Sequence, residues 1–129
     1  MTVTVITVAR TLGAGGEELG EAIADALGFR YVDAEIIDRA AALAGTPGLL
    51  RVLVTAPAEV RALRLVGEDA LTLEEASRRI EESDAARADF LKRFYGLERE
   101  LPTHYDVIIN TGELELDEGL AAVLAVARE

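Results

Sequence analysis

Residues 6–20 read ITVARTLGAGGEELG, which places Gly13, Gly15 and Gly16, with Ala14 among them, in four consecutive positions between an apolar β-branched run and a helix-like stretch. A strand, a tight glycine turn and a helix in that order point several backbone N–H groups at one spot, and the helix dipole there favours an anion. Phosphate is the guest that such a loop suits. The same glycines also satisfy an ordinary tight connection, so the loop alone leaves the two readings level. Arg10, just before the loop, would add a positive charge if its side chain folds back; a solvent-exposed arginine is the competing account.

Twelve of the thirteen basic residues are arginine and only Lys92 is lysine. A guanidinium forks onto phosphate oxygens where an ammonium acts as a point charge. Arg61 and Arg64 stand three apart, on one face of any helix through them. Arg87 falls between Ile80 and Leu91 on nearly the same helical face, an unusual place for an arginine without a task, although Asp84 is close enough in sequence to pair with it. Asp33 and Arg39 lie six apart in DAEIIDR. The absence of cysteine rules out disulfides, thiolate metal sites and a cysteine nucleophile, and a single histidine, His104, rules out a histidine-cluster metal site. His104 has no partner motif and reads as a loop residue.

These groups need a frame, and 129 residues suit a single domain, 1–129, with one core. Half the residues are apolar, while 24 acidic against 13 basic side chains give a charge of −11. That balance disfavours a nucleic acid duplex or an anionic membrane as partner, and any anionic ligand must meet a local positive site. The opening MTVTVITVAR lacks the basic start and long apolar core of a signal peptide, and no apolar run approaches the roughly 20 residues that span a bilayer. The cytoplasm is the expected location.

The uncharged run Thr2 to Ala9 suits a strand buried on both faces of a parallel sheet. Leu19, Ile23, Ala26 and Leu27 recur at helical spacing before Gly28 as a stop. Phe29 to Asp33 is a short strand candidate, followed by a helical AEIIDRAAALA and the turn GTPG. LLRVLVTAP is a second strongly apolar strand; a helix from about Ala58 to Val66 follows, with Val60, Leu63 and Val66 inward and Gly67 as its end. Thr72 with Glu75 is a capping-box signature that opens a long polar helix to about Tyr95, closed by Gly96. Tyr105 to Asn110 is a third apolar strand, and an amphipathic helix with Leu116, Leu120, Val123, Leu124 and Ala127 ends the chain. Alternation of this kind predicts an α/β domain with a parallel sheet, whose ligands collect at the carboxyl ends of the strands.

The segments ITVARTLGAGGEELG, LGFRYVDAEII, RVLVTAP, SDAARADFLKRFYG and YDVIINTG, in this order, resemble the cytidylate kinase-like family of P-loop nucleotide kinases over most of the chain. The resemblance implies a three-layer α/β/α P-loop kinase-like fold with a mostly parallel sheet, ATP with Mg2+ as donor, and CMP or dCMP as acceptor. On the pattern G-x-x-x-x-G-K-[ST], Gly13 and Gly15 match the inner glycines, Gly16 stands at the lysine position and Glu18 is set at the hydroxyl position, so both chemical side chains are absent. Relatives also carry glycine at the lysine position, followed by a basic residue; here that residue is Glu17. Glu17 and Glu18 then read as ordinary first-turn acids that stabilise the helix through its dipole.

By the same resemblance, Arg10, Gly13, Ala14, Gly15 and Gly16 would hold phosphates, and Asp33 and Arg39 the acceptor, Arg39 forking onto its monophosphate. Arg61 and Arg64 would frame the donor base, with Asn110, Thr111 and Gly112 as optional contacts. A helical lid over about residues 72–96 would neutralise developing charge through Arg87 first, then Arg79 or Arg93. No residue is assigned to a metal. Each has a plainer alternative: Asp33 as a helix cap, Arg39, Arg61 and Arg64 as surface residues, Arg93 as a partner for the helix terminus.

About ten residues replace the family's acceptor-binding insertion and its further strand, which in the usual order lies beside the first strand. Thr2 to Ala9 would then present an unpaired apolar edge unless Phe29 to Asp33 or another chain covers it, so a homodimer is expected. Three functions remain open: an active minimal nucleotide kinase, a non-catalytic nucleotide- or phosphate-binding module, and a P-loop scaffold that acts through protein interaction.

Overall fold

The computed structural model describes residues 2–31 and 47–128. Strand β1 (Val5–Arg10) leads through the glycine loop into α1 (Gly16–Leu27); β2 (Leu49–Thr55) leads into α2 (Ala58–Asp69) and α3 (Leu73–Tyr95); a 3-10 turn (Pro102–His104) precedes β3 (Val107–Asn110) and α4 (Leu116–Ala127). The strands lie in the order β1-β2-β3, all parallel, with Val5 opposite Leu49, Arg10 opposite Val54 and Thr55 opposite Asn110. All three therefore present their carboxyl ends at one edge, where the glycine loop also lies. Among the described residues β1 pairs with β2 alone.

Alternation along the strands builds the main core. Leu50, Val52 and Val54 of β2, with Ile109 of β3, meet Leu19 and Ile23 of α1 and Val123 of α4, while Ile6 and Val8 of β1 pack beside them. A second cluster joins α2 to α3 through Ala62, Leu65, Ala76 and Ile80. Among the described residues no helix is long and apolar enough to cross a membrane.

Several boundaries differ from the sequence expectations for identifiable reasons. β1 starts at Val5 rather than Thr2, and β3 at Val107, although the Asp106 N–H still reaches Arg51 O at 2.8 Å. α2 runs through Gly67 to Asp69, because an interior glycine costs only about 1 kcal/mol; the stop is Ala70, at φ 53. Its inward face is Arg61, Ala62 and Leu65, with Val66 half-buried against the same cluster as expected, and Leu63 is 61% exposed, since the helix turns Ala62 and Leu65 onto α3 and Arg61 toward the loop. Leu116, also expected inward, is exposed in the first turn of α4. Phe29 to Tyr31 form no strand, and Val32, Asp33 and the AEIIDRAAALA helix lie outside the described residues. The cap of α3 is as expected: Thr72 Oγ1 accepts the Glu75 N–H at 3.1 Å, and Gly96 closes the helix.

Candidate functional site

The glycine loop has its peptide groups sorted by sign. Every carbonyl from Arg10 to Gly15 meets a donor: Arg87 Nη1 at Arg10 O (3.3 Å), the Ala14 N–H at Thr11 O (3.1 Å), Arg61 Nη1 at Leu12 O (3.4 Å), Arg64 Nη1 at Gly13 O (3.1 Å), the Thr111 hydroxyl at Ala14 O (2.6 Å) and the Leu19 N–H at Gly15 O (3.1 Å). Of the amides facing the other way, those of Thr11 and Ala14 are taken, by Val54 O at 3.2 Å and Thr11 O at 3.1 Å, while those of Leu12, Gly13 and Gly15 have no acceptor among the described residues. Gly16, Glu17 and Glu18 begin α1 and have no intrahelical acceptor, and the cap residue Gly15 brings no side chain. Gly13 and Gly15 sit at φ 79 and 83, where a side chain is strained, and a Cβ on Gly13 would lie 3.0 Å from Arg61 O.

Arg61 is 5% exposed. Its Nε donates to Ala56 O at 2.7 Å and its two terminal nitrogens fork onto Asp84 at 2.9 Å each, the arrangement a buried guanidinium requires. Asp84 thus pairs with Arg61 across the α2–α3 contact rather than with Arg87 on its own helix. Arg64, partly buried, donates to Gly13 O and, at 3.0 Å, to Thr111 Oγ1, and its second terminal nitrogen reaches Thr111 O. Thr111 in turn donates its N–H to Thr55 O at 2.9 Å, and Thr55 Oγ1 lies 3.1 Å from Thr11 Oγ1, so the ends of the three strands and the loop are tied together.

Arg87 reaches the same edge from α3. Its Nε and Nη2 bind Glu100 at 2.6 and 3.0 Å, Nη2 also meets the Tyr105 oxygen at 3.0 Å, and the Tyr105 O–H donates to Glu100. Burial alone would raise the Glu100 carboxyl and lower the Arg87 guanidinium, but the hydrogen bonds and charges they exchange move both the other way, so the pair stays ionised. Burial first, then donation to Glu100, pushes the Tyr105 phenol up to about 12. Beside Arg87 an open cleft of about 240 Å³ runs from Thr11 past Leu91 to Glu100.

Arg10 folds back along the loop, its Nη2 3.9 Å from Glu17 Oε1 and its stem against Gly16. Arg79 pairs with Asp69 at 3.3 Å and Arg93 with Asp89 at 3.2 Å, both exposed and both away from the loop's contacts. Asp33 and Arg39 lie outside the described residues. Counted strictly, the residue after the lysine position is Glu17, so a carboxylate stands at the hydroxyl position in either register. The loop's open amides suit a phosphate chain, but neither carboxylate offers the hydroxyl by which this motif holds Mg2+. His104 Nδ1 accepts the Leu101 N–H at 3.0 Å and acts as a local cap. Among the described residues the one carboxylate cluster, Glu115, Asp117 and Glu118, is exposed and caps the start of α4.

Glu100 and Tyr105 were missed by the sequence, since a loop has no periodicity to bring residues five apart onto one guanidinium. Thr111 was visible as a turn residue and an optional contact near the donor base, not as a donor to the loop. The placement of Arg61 left a trace, because a cation beside Ala62 and Leu65 on a helix must find an acceptor when that face is buried.

A family model described as the cytidylate kinase-like family matches residues 5–49 and 41–113. A cytidylate kinase of Methanopyrus kandleri (strain AV19) is 32% identical over 76 residues, which is 59% of this chain and 39% of that protein; the chain thus aligns with well under half the length of this relative. Among solved structures, an uncharacterized protein from Eubacterium ventriosum ATCC 27560 superposes at a TM-score of 0.85 with 13% identity, over 97% of this chain and 98% of the other. Shikimate kinase from Bacteroides thetaiotaomicron superposes at 0.58 with 16% identity, over 98% and 99% of the two chains. The fold is accordingly the three-layer α/β arrangement of P-loop kinases, with a mostly parallel sheet. With a glycine loop at the sheet's carboxyl edge and a family match running from β1 through β3, this chain is a member of the cytidylate kinase-like family.

Proposed function

We propose that this chain binds the phosphates of a nucleoside triphosphate, ATP by family likeness, on the glycine loop, as a cytoplasmic nucleotide-binding domain of cytidylate kinase type. The observation that carries the reading is the sorting of the loop: its carbonyls are held by protein donors while the amides that open α1 are left for an anion. CMP or dCMP is the acceptor class, with Asp33 and Arg39 as its ligands and Arg87 as the lid residue placed against the loop.

Turnover is slow on this reading. Phosphoryl transfer depends on positioned charge, and the lysine and hydroxyl of the complete motif are replaced by Gly16 and carboxylates. Arg79 and Arg93 are engaged elsewhere, and Arg87 is engaged with Glu100. A homodimer through the side of β1 that no described strand pairs accompanies the proposal, with light scattering as its test.

Isothermal titration of MgATP into wild type and Gly15→Asp, followed by ADP release with CMP or dCMP, decides among the three functions. Binding that the variant abolishes, with little acceptor-dependent ADP, is the expected result. Acceptor-dependent ADP at ordinary kinase rates would establish the active kinase instead, and no heat at millimolar ligand would leave the scaffold.

A further inference from the structure

The contacts behind the loop are unequal, and planar peptide geometry says which matter. In a trans peptide the carbonyl of one residue and the N–H of the next point in opposite directions. Fixing Ala14 O therefore fixes the Gly15 N–H, and fixing Leu12 O fixes the Gly13 N–H. The bond from Arg61 to Leu12 O is long, at 3.4 Å, and Arg61 is mainly committed to Asp84 and Ala56 O. The bond from the Thr111 hydroxyl to Ala14 O, at 2.6 Å, is the short one.

Arg64 determines which way that hydroxyl points. A guanidinium only donates, so Arg64 Nη1, 3.0 Å from Thr111 Oγ1, takes a lone pair of the oxygen and leaves its hydrogen for an acceptor. Of the two acceptors in reach, Ala14 O at 2.6 Å and Thr55 O at 3.4 Å, the nearer one takes it. The same Arg64 nitrogen also holds Gly13 O, and its neighbour holds Thr111 O, so one guanidinium spans both sides of the joint. It further sets a positive charge behind the loop, on the side away from the open amides.

Resting on the reading that the loop binds phosphate, we infer that Thr111, oriented by Arg64, is the positioning residue of the anion site: it turns the Ala14 carbonyl toward β3 and so aims the Gly15 N–H at the ligand. Neither side chain touches the ligand. The loop is thereby preorganised from the end of β3, and the cost of ordering it is met during folding rather than at binding.

The test compares Thr111→Val, nearly isosteric but without the donor, with Thr111→Ser, which keeps it, and with Arg64→Lys, which keeps charge but not the fork. Inorganic tripolyphosphate is titrated into each, and 15N relaxation reports the order of the Gly15 amide in the ligand-free proteins. Thr111→Val is expected to bind about 10-fold more weakly, as for one lost hydrogen bond, with a more mobile Gly15 amide. Thr111→Ser should stay within about 2-fold of wild type and Arg64→Lys should fall between. Equal affinity in Thr111→Val and wild type overturns the inference, as does a serine variant that behaves like valine, which would assign Thr111 to packing alone. If wild type fails to bind tripolyphosphate the phosphate reading falls, and the relaxation arm still decides the positioning: a Gly15 amide as ordered in Thr111→Val as in wild type overturns it.

Discussion

Raising the pH through the phenol range probes the Arg87–Glu100–Tyr105 network at its most sensitive point. The Tyr105 phenol, ordinarily at 10, is pushed up to about 12, first by burial and then by its hydrogen bond to Glu100, while Arg87 pulls the other way. A group whose folded value lies above its unfolded value contributes stability that is complete below pH 10 and lost as the pH rises through 12. At ~1.4 kcal/mol per pH unit, and discounted for solvent screening of a half-buried phenol, the loss across that window is about 1–2 kcal/mol. The protein has three tyrosines, so the absorbance of tyrosinate at 295 nm is titrated in wild type and in Tyr105→Phe, and the difference isolates one phenol. Urea midpoints at pH 8, 10 and 11.5 then show whether wild type loses stability that Tyr105→Phe does not. A difference titration centred near 10, or parallel stability in the two proteins, would refute the network as described.

Restoring lysine at the motif position by Gly16→Lys should not create a kinase. A Cβ there would lie 2.5 Å from the Arg10 Cβ, so the strand end must shift at a cost of about 1–3 kcal/mol; urea melts should register that loss, and rapid ADP release at unchanged stability would sink the argument. Arg61→Met removes the fork on Asp84 and the donors to Ala56 O and Leu12 O. Because Asp84 is partly exposed and regains water, the expected loss is about 2–3 kcal/mol rather than the larger figure for a fully buried pair, and a loss under about 1 kcal/mol by denaturant titration would place Arg61 outside the framework.

The frame was legible because its codes are local. An uncharged run marked β1 and a strongly apolar one β2, Gly28 and Gly96 marked helix ends by adopting φ 69 and 66, and Thr72 with Glu75 marked a start. The facing of α2 was legible only at Val66, which packs half-buried on the α3 contact, since Val60 and Leu63 satisfy helical spacing as well as Ala62 and Leu65 do; what decides is the packing of α3 and the reach of Arg61, both tertiary facts. In the site, the loop could be read from its glycines, whereas the side chains that hold its carbonyls come from 49 to 97 residues away in sequence and follow no period.

The arginines illustrate why residue type alone misleads about chemistry. Arg61 and Arg64 fit the expectation of cations near a phosphate loop, yet both approach it from behind and bind its carbonyls. From there they shape the loop and would add to the field at a bound anion, but they could not follow a phosphoryl group as it moves, which is the task that needs charge in front. Arg87 alone of the three sits on α3, the helix that would be a lid if the proposed function holds, and its donors already hold a carboxylate and a phenol. For it to reach a phosphate it must exchange Glu100 for the ligand, one charged partner for another of the same sign, with little net gain. Binding is therefore supported by groups that are in place, whereas transfer would wait on an exchange that the Glu100 carboxylate opposes.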